Sequence, residues 1–171
     1  MDAIKCIMTR KSVRKYSGKE VSDKLLKKIL ECGMQAPSAV NEQPWEFVIV
    51  RDKEMLAKIP KISRFAGMTK DASVAIIICM NKKYQNIFAK GYLEQDCSAA
   101  TENILLAVNA LGLGAVWTGL HPHEKLVEGI RKLFEIPNHV IPLCIIPIGY
   151  PTEKKAPKKR FNKKRVHKEK W

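Results

Sequence analysis

A β-sheet flanked by helices is the fold class this sequence predicts, and three observations carry it. Residues 73–80 read as a strand whose residues 74–80 are all apolar, the pattern of a strand buried on both sides. Residues 92–111 repeat apolar side chains at helical spacing over five turns. Strand-like and helix-like segments intermix along the chain, with no internal repeat. The result is an α/β-type layered domain. At 171 residues the chain can bury a real core, so residues 1–171 are expected to form one domain, with 151–171 as a basic C-terminal extension.

Taken in order, Ala3, Ile4, Ile7 and Met8 predict a short first helix. Ser22 can cap a second, carried by Leu25, Leu26, Ile29 and Leu30 and stopped before Pro37. Residues 46–51 read as a strand and 53–58 as a short helix. Residues 73–80 form the buried strand. In the long helix Leu93, Cys97, Ala100, Ile104, Ala107, Val108 and Leu111 share a face, and Gly112 ends it. A short strand over 115–118 and a helix over 123–133 follow. The last strand, 140–148, contains Pro142 and Pro147, which push it towards an edge or into bulges.

Composition narrows the class. The apolar runs at 74–80 and 141–148 are far too short to span a bilayer. Asp2, Lys5, Arg10, Lys11 and Arg14 interrupt any secretory leader, so a cytoplasmic protein without membrane attachment is expected. The five cysteines have neither zinc spacing nor an even count and read as small buried hydrophobes. The net charge is +14, and residues 151–171 hold ten Lys or Arg against Glu153 and Glu169, a net +8. Such a field attracts anions, including phosphorylated cofactors. The tail lacks the interleaved aromatic residues of a nucleic-acid groove, which argues against nucleic acid as the partner.

Two segments stand out chemically. Arg10-Lys11-Ser12-Val13-Arg14 puts three cations and a hydroxyl into five residues, a set suited to phosphate. Residues 36–45 read Ala-Pro-Ser-Ala-Val-Asn-Glu-Gln-Pro-Trp. Pro37 and Pro44 fix the backbone, Ser38 and Ala39 permit close approach, and Asn41 and Gln43 can donate and accept. Glycines at 112, 114 and 119 bracket a helix-to-strand passage that is no dinucleotide fingerprint, because no helix follows directly. His121 and His123 read as a turn and helix start, so no metal is expected. Asp96 and Glu102 read as structural, and no Ser-His-Asp or paired-carboxylate arrangement emerges.

The basic element, the following helix and the proline-rich loop resemble the nitroreductase family, short-chain subgroup. The resemblance continues through residues 96–117, Ile148-Gly149-Tyr150-Pro151 and Lys158-Lys159-Arg160, nearly the whole chain. It implies an α+β fold with a mixed sheet, a homodimer whose C-terminal extension wraps the partner, and non-covalent FMN. It places Arg10, Lys11, Ser12 and Arg14 on FMN, with Arg10 and Ser12 nearest the phosphate and Arg14 nearer the ring. It brings Pro37, Ser38 and Ala39 to the ring from the neighbouring subunit, and has Asn41 support that loop or touch flavin. Trp117, Thr118 and Gly119 present backbone groups to the ring, and Lys158 and Arg160 close over the phosphate.

The implied activity is hydride transfer from NADH or NADPH, through flavin N5, to small electron-poor acceptors such as nitroaromatics, quinones or free flavin. One shared pocket implies ping-pong kinetics. No side chain is singled out as catalytic, since the flavin does the chemistry; Arg14 is the candidate for tuning it. Other reactions on the same fold (reductive dehalogenation, desaturation, flavin degradation) remain as alternatives. So does a non-catalytic flavin- or nucleic-acid-binding protein. Independently of the resemblance, a helix of about 20 Å separates the Arg10 cluster from the Pro37 loop, so two chains are expected to complete one site.

Overall fold

Strand β2 (Val74–Asn81) is buried along its whole length and sets the layering. Its side chains alternate between two cores, as strand geometry requires. Val74, Ile76, Ile78 and Met80 enter one core with α2 (Asp23–Met34) and α4 (Leu93–Ala110). Ala75, Ile77 and Cys79 enter the other with α3 (Lys53–Ile62) and α5 (Glu124–Leu133). Each fully buried Ile contributes about 1.5–3 kcal/mol, so this strand alone is a large share of the driving force. The computed structural model describes residues 2–153 and 156–171; Met1 and positions 154 and 155 of the basic extension lie outside the described residues.

The sheet order is β1 (Trp45–Val50), β2, β5 (Val140–Gly149), then β3 (Gly114–Ala115), with β4 (Thr118–Gly119) also on β5. Every pair of named strands is antiparallel. A parallel bridge, Ser12 to Ala115, adds the segment after α1 (Ala3–Thr9) to the far edge. The fold is α+β, and this bridge supplies the parallel part of its pairing.

The two prolines of β5 do not send it to an edge. It lies inside the sheet, between β2 and the β3–β4 pair. Pro142 sits beside a register shift, which puts Leu143 and Cys144 in the same core. Pro147 acts on the other side. β3 and β4 share one register on β5, yet the ladder breaks at Val116 and Trp117, opposite Pro147 and Ile146. Proline has no N–H to donate, and the Tyr16 hydroxyl occupies the Pro147 carbonyl instead, at 3.1 Å.

Local chemistry fixes the helix ends. Asp2 accepts from the Lys5 amide and Ser22 from the Leu25 amide, at 3.0 and 3.4 Å. Helix α3 runs through Pro60 to Ile62, four residues beyond the sequence expectation. A 3₁₀ stretch, Arg64–Asp71, follows it and packs on it.

Gly114 is a close-approach glycine. A Cβ there would sit 2.6 Å from Val13 Cγ1. Gly114→Ala should therefore lower stability by about 1–3 kcal/mol, read as a drop in the urea midpoint at unchanged slope. Gly67→Ala, with nothing within 4 Å of its Cβ, should change stability by no more than about 0.5 kcal/mol.

Candidate functional site

Residues 10–16 run along the outer edge of the sheet, and three contacts place them. The Val13 amide donates to the Ala115 carbonyl at 2.8 Å. The Tyr16 hydroxyl reaches the Val13 carbonyl at 2.8 Å as well as that of Pro147. Burial pushes the Tyr16 hydroxyl far above its usual pKa, so it stays a donor. Upstream, Asn109 on α4 donates to the Cys6 carbonyl and the Thr9 hydroxyl, at 2.9 and 3.0 Å, and pins the end of α1. Arg10 pairs with Glu102, Nε to Oε1 at 3.0 Å, which leaves the rest of its guanidinium fork to an anion.

The cluster does not converge on one point. Arg10 and Lys11 line a small cavity of about 150 Å³, with Asn109 and Gly112. Arg14 lines a second of about 300 Å³, with Phe65, Trp117, Thr118, Gly119, His121 and His123. Ser12 is exposed and lines neither.

Ladder alternation fixes what the strand offers to the second cavity. Leu120 donates to the Leu143 carbonyl, so residues 118 and 120 face β5. Trp117 and Gly119 therefore direct their N–H groups off the open edge, where Arg14 lies. Thr118 does not, and its side chain is buried. The Ala115 edge is already covered by Val13. Two backbone donors, a guanidinium, and the Trp117 and Phe65 rings thus surround one slot. This donor set suits a flat heterocycle with acceptor atoms along its edge. His121 also reaches Glu94, Nε2 to Oε1 at 3.2 Å, a contact not expected from the sequence.

The Pro37 loop is built elsewhere. Asp96 accepts from the Ala39 amide at 2.9 Å, and Ser38 from the Gln43 amide at 2.9 Å. Asn41 accepts from the Gln43 side chain at 3.0 Å, so it braces the loop. Val40, Asn41 and Gln43 all have positive φ, near 50°, a costly state for a β-branched residue such as Val40. The loop packs on the turn Ile87–Ala89, where Glu42 accepts from the Asn86 amide.

Pro37, Ser38, Ala39 and Asn41 line none of the cavities lined by Arg10, Lys11 or Arg14. The reason is α4. Asp96 holds the loop near its start and Asn109 holds the Arg10 end near its finish, about 20 Å apart along the helix. Lys158 and Arg160 are not brought to the cavities either; they lie on an exposed extension. Among the described residues no group of three or more His, Cys, Asp or Glu could hold a metal.

The buried Asp96 carboxylate is held above its usual pKa, first by desolvation and then by the nearby Glu42, against the Ala39 amide. A raised carboxyl favours the protonated native state. Its contribution is complete below about pH 4 and fades as pH rises through the shifted value. Asp96→Asn keeps an acceptor for Ala39 without the charge. Its stability relative to the parent should improve as pH rises from about 4 to about 7. Urea unfolding at several pH values would measure this, and a constant difference would rule it out.

Comparison with known proteins agrees with this fold. The family model described as Nitroreductase family matches residues 7–66 and 63–150. A Methanothermobacter thermautotrophicus protein, provisionally named NADH dehydrogenase/NAD(P)H nitroreductase, is 52% identical over 171 residues, covering 100% of this chain and 88% of its own. A crystal structure of a protein with the same provisional name, from Parabacteroides distasonis, superposes with a TM-score of 0.94 at 38% identity, covering 99% and 98% of the two chains. An FMN-dependent nitroreductase from Clostridium difficile R20291 gives 0.89 at 30% identity, covering 98% and 99%. Matched by this family model over most of its length and by a relative at 52% identity, the chain belongs to the nitroreductase family.

Proposed function

We propose that this protein is an FMN-dependent NAD(P)H oxidoreductase that reduces small electron-poor acceptors such as nitroaromatics, quinones or free flavin. The observation that carries the reading is the open sheet edge at Trp117 and Gly119, where two unpaired-edge N–H groups and Arg14 face one aromatic-walled slot. The donor set fits FMN: cations at Arg10 and Lys11 for the phosphate, flat rings and edge donors for the heterocycle. When bound, FMN would supply a ring able to accept a hydride and pass it on.

The chain's own groups have distinct tasks. Arg10 and Lys11 hold the phosphate, with Glu102 orienting Arg10, and the adjacent exposed Ser12 is available to add its hydroxyl. Gly119 offers its N–H to the ring edge with no side chain in the way. Arg14 opposes negative charge gathering on the ring's pyrimidine side. Reductant and acceptor are proposed to share the one slot against the ring and so to take turns. Double-reciprocal plots should accordingly be parallel.

The working unit in this reading is a homodimer, each chain folded as one domain over residues 1–171. The partner supplies Pro37, Ser38 and Ala39 to the slot, and Lys158 and Arg160 to the phosphate. Three features support this. The two halves of the site stand at opposite ends of α4. Ile4, Ile7 and Met8 of α1 are exposed beside an apolar groove containing Leu106, Ala107 and Ala110. Phe161 and Trp171 of the extension are 86% and 100% exposed in a single chain. The face of α4 made by Leu93, Cys97, Ala100, Ile104 and Val108 is used inside the chain, so the pairing surface is α1 with the outer stripe of α4.

Purified protein should release FMN on acid precipitation. NADH or NADPH should bleach the flavin without oxygen, and menadione should restore it. Arg10→Ala should weaken FMN binding by about 1.5–3 kcal/mol, the scale of a charged hydrogen bond. Unchanged affinity would remove Arg10 from the site. Light scattering should give about twice the 19.4 kDa chain mass. A monomer that retains FMN fully would overturn the shared site.

A further inference from the structure

Arg14 lines a second concavity on its other side. This groove, of about 600 Å³, also contains Lys15, Lys53 and Lys70, with Ser17, Thr152 and a single carboxylate, Asp71. Its size lies within the range of small-molecule sites, about 300–1,000 Å³. Its cations come from three separate elements. Lys53 opens α3 and is anchored by donating to the Ala72 carbonyl at 2.9 Å, which leaves two of its three protons free. Lys70 lies in the last turn of the 3₁₀ stretch, and Arg14 and Lys15 come from the edge segment. Lys15 is offset by Glu153 at 2.6 Å. Arg14 and Lys70 make no ion pair among the described residues.

The groove is not needed for the FMN phosphate, whose cations Arg10 and Lys11 line a different cavity. It is joined to the ring slot through Arg14, which lines both. A reductant with its nicotinamide in the slot would therefore have its phosphates beside Arg14, on the side where Lys53 and Lys70 line the neighbouring groove. Resting on the reading as an NAD(P)H oxidoreductase, we propose that this groove takes the phosphorylated adenosine end of the pyridine dinucleotide and that Lys53 and Lys70 bind its 2′-phosphate. The consequence is selection of NADPH over NADH.

The test uses full-length, flavin-loaded protein and calorimetric titration with oxidised NADP⁺ and NAD⁺, which bind without turnover. NADP⁺ should bind at least about tenfold more tightly, the effect of one charged contact. Lys70→Gln is exposed and should leave folding intact; it should weaken NADP⁺ about five- to tenfold and NAD⁺ less than about twofold. Lys53→Gln with Lys70→Gln should bring the two affinities together. Raising salt from about 50 to about 200 mM should weaken NADP⁺ more than NAD⁺. Equal parental affinities, or equal losses in the Lys70→Gln variant, would overturn the assignment. Flavin content and anaerobic bleaching, followed in the same samples, separate the two failures. Equal bleaching by NADH and NADPH with equal affinities rejects the groove and keeps the oxidoreductase. No bleaching by either rejects both.

Discussion

The Tyr16 hydroxyl shares one proton between two carbonyls, those of Val13 and Pro147, and the rest of the site hangs on that contact. Pro147 cannot donate to the strand beside it, so its place in the ladder is open to a side chain. Tyr16 takes that place and draws the basic segment against the sheet edge. Its ring packs so closely that a Cβ at Gly149 would lie 2.9 Å from Tyr16 Cγ. Because Tyr16 is fixed, Arg14 is held at the boundary between the ring slot and the basic groove. Desolvation keeps the phenol protonated across any working pH.

Helix α4 acts as the ruler of the molecule. It buries one face against the sheet and α2, and it uses its polar residues as brackets. Asp96 carries the Pro37 loop, Glu102 orients Arg10, and Asn109 pins the end of α1. Rigid helix geometry then sets the separation of the two half-sites at about 20 Å. No side-chain adjustment can close such a gap. In the proposed homodimer a two-fold partner would close it by presenting the opposite half-site, which would link oligomerisation to cofactor binding.

The charge of the chain has a place in this arrangement. Cations line both small cavities and the groove, while the extension carries a further basic cluster with Phe161 and the terminal Trp171 exposed. A basic field around a slot draws in phosphorylated ligands from a distance and is screened by salt. His167 stacks on Trp171 with ring centroids 4.3 Å apart, which gives the end of the extension a flat face.

Local pattern sufficed for much of this. The unbroken apolar run at 74–80 told of a strand buried on both faces, and it is one. Ser22 was legible as a cap because capping is a contact across three residues. The segments Arg10–Arg14 and 36–45 were legible as chemistry because their residue types are adjacent. Long-range facts were not. The prolines of β5 left an edge position and a bulge as alternatives; only the structure shows the strand to be interior, with a bulge beside Pro142 and the Tyr16 hydroxyl on the Pro147 carbonyl. Thr118 and Gly119 were equivalent in the sequence. Only the Leu120–Leu143 hydrogen bond decides that Gly119 faces outward, since ladder parity is set by the partner strand. The brackets from Asp96, Glu102 and Asn109, and the meeting of Lys53 and Lys70 with Arg14, join residues far apart in the chain. The sequence alone determined which chemical groups are present and which local structures they favour. Tertiary packing decided which of them meet, because contact between distant residues depends on register, bulges and helix length together.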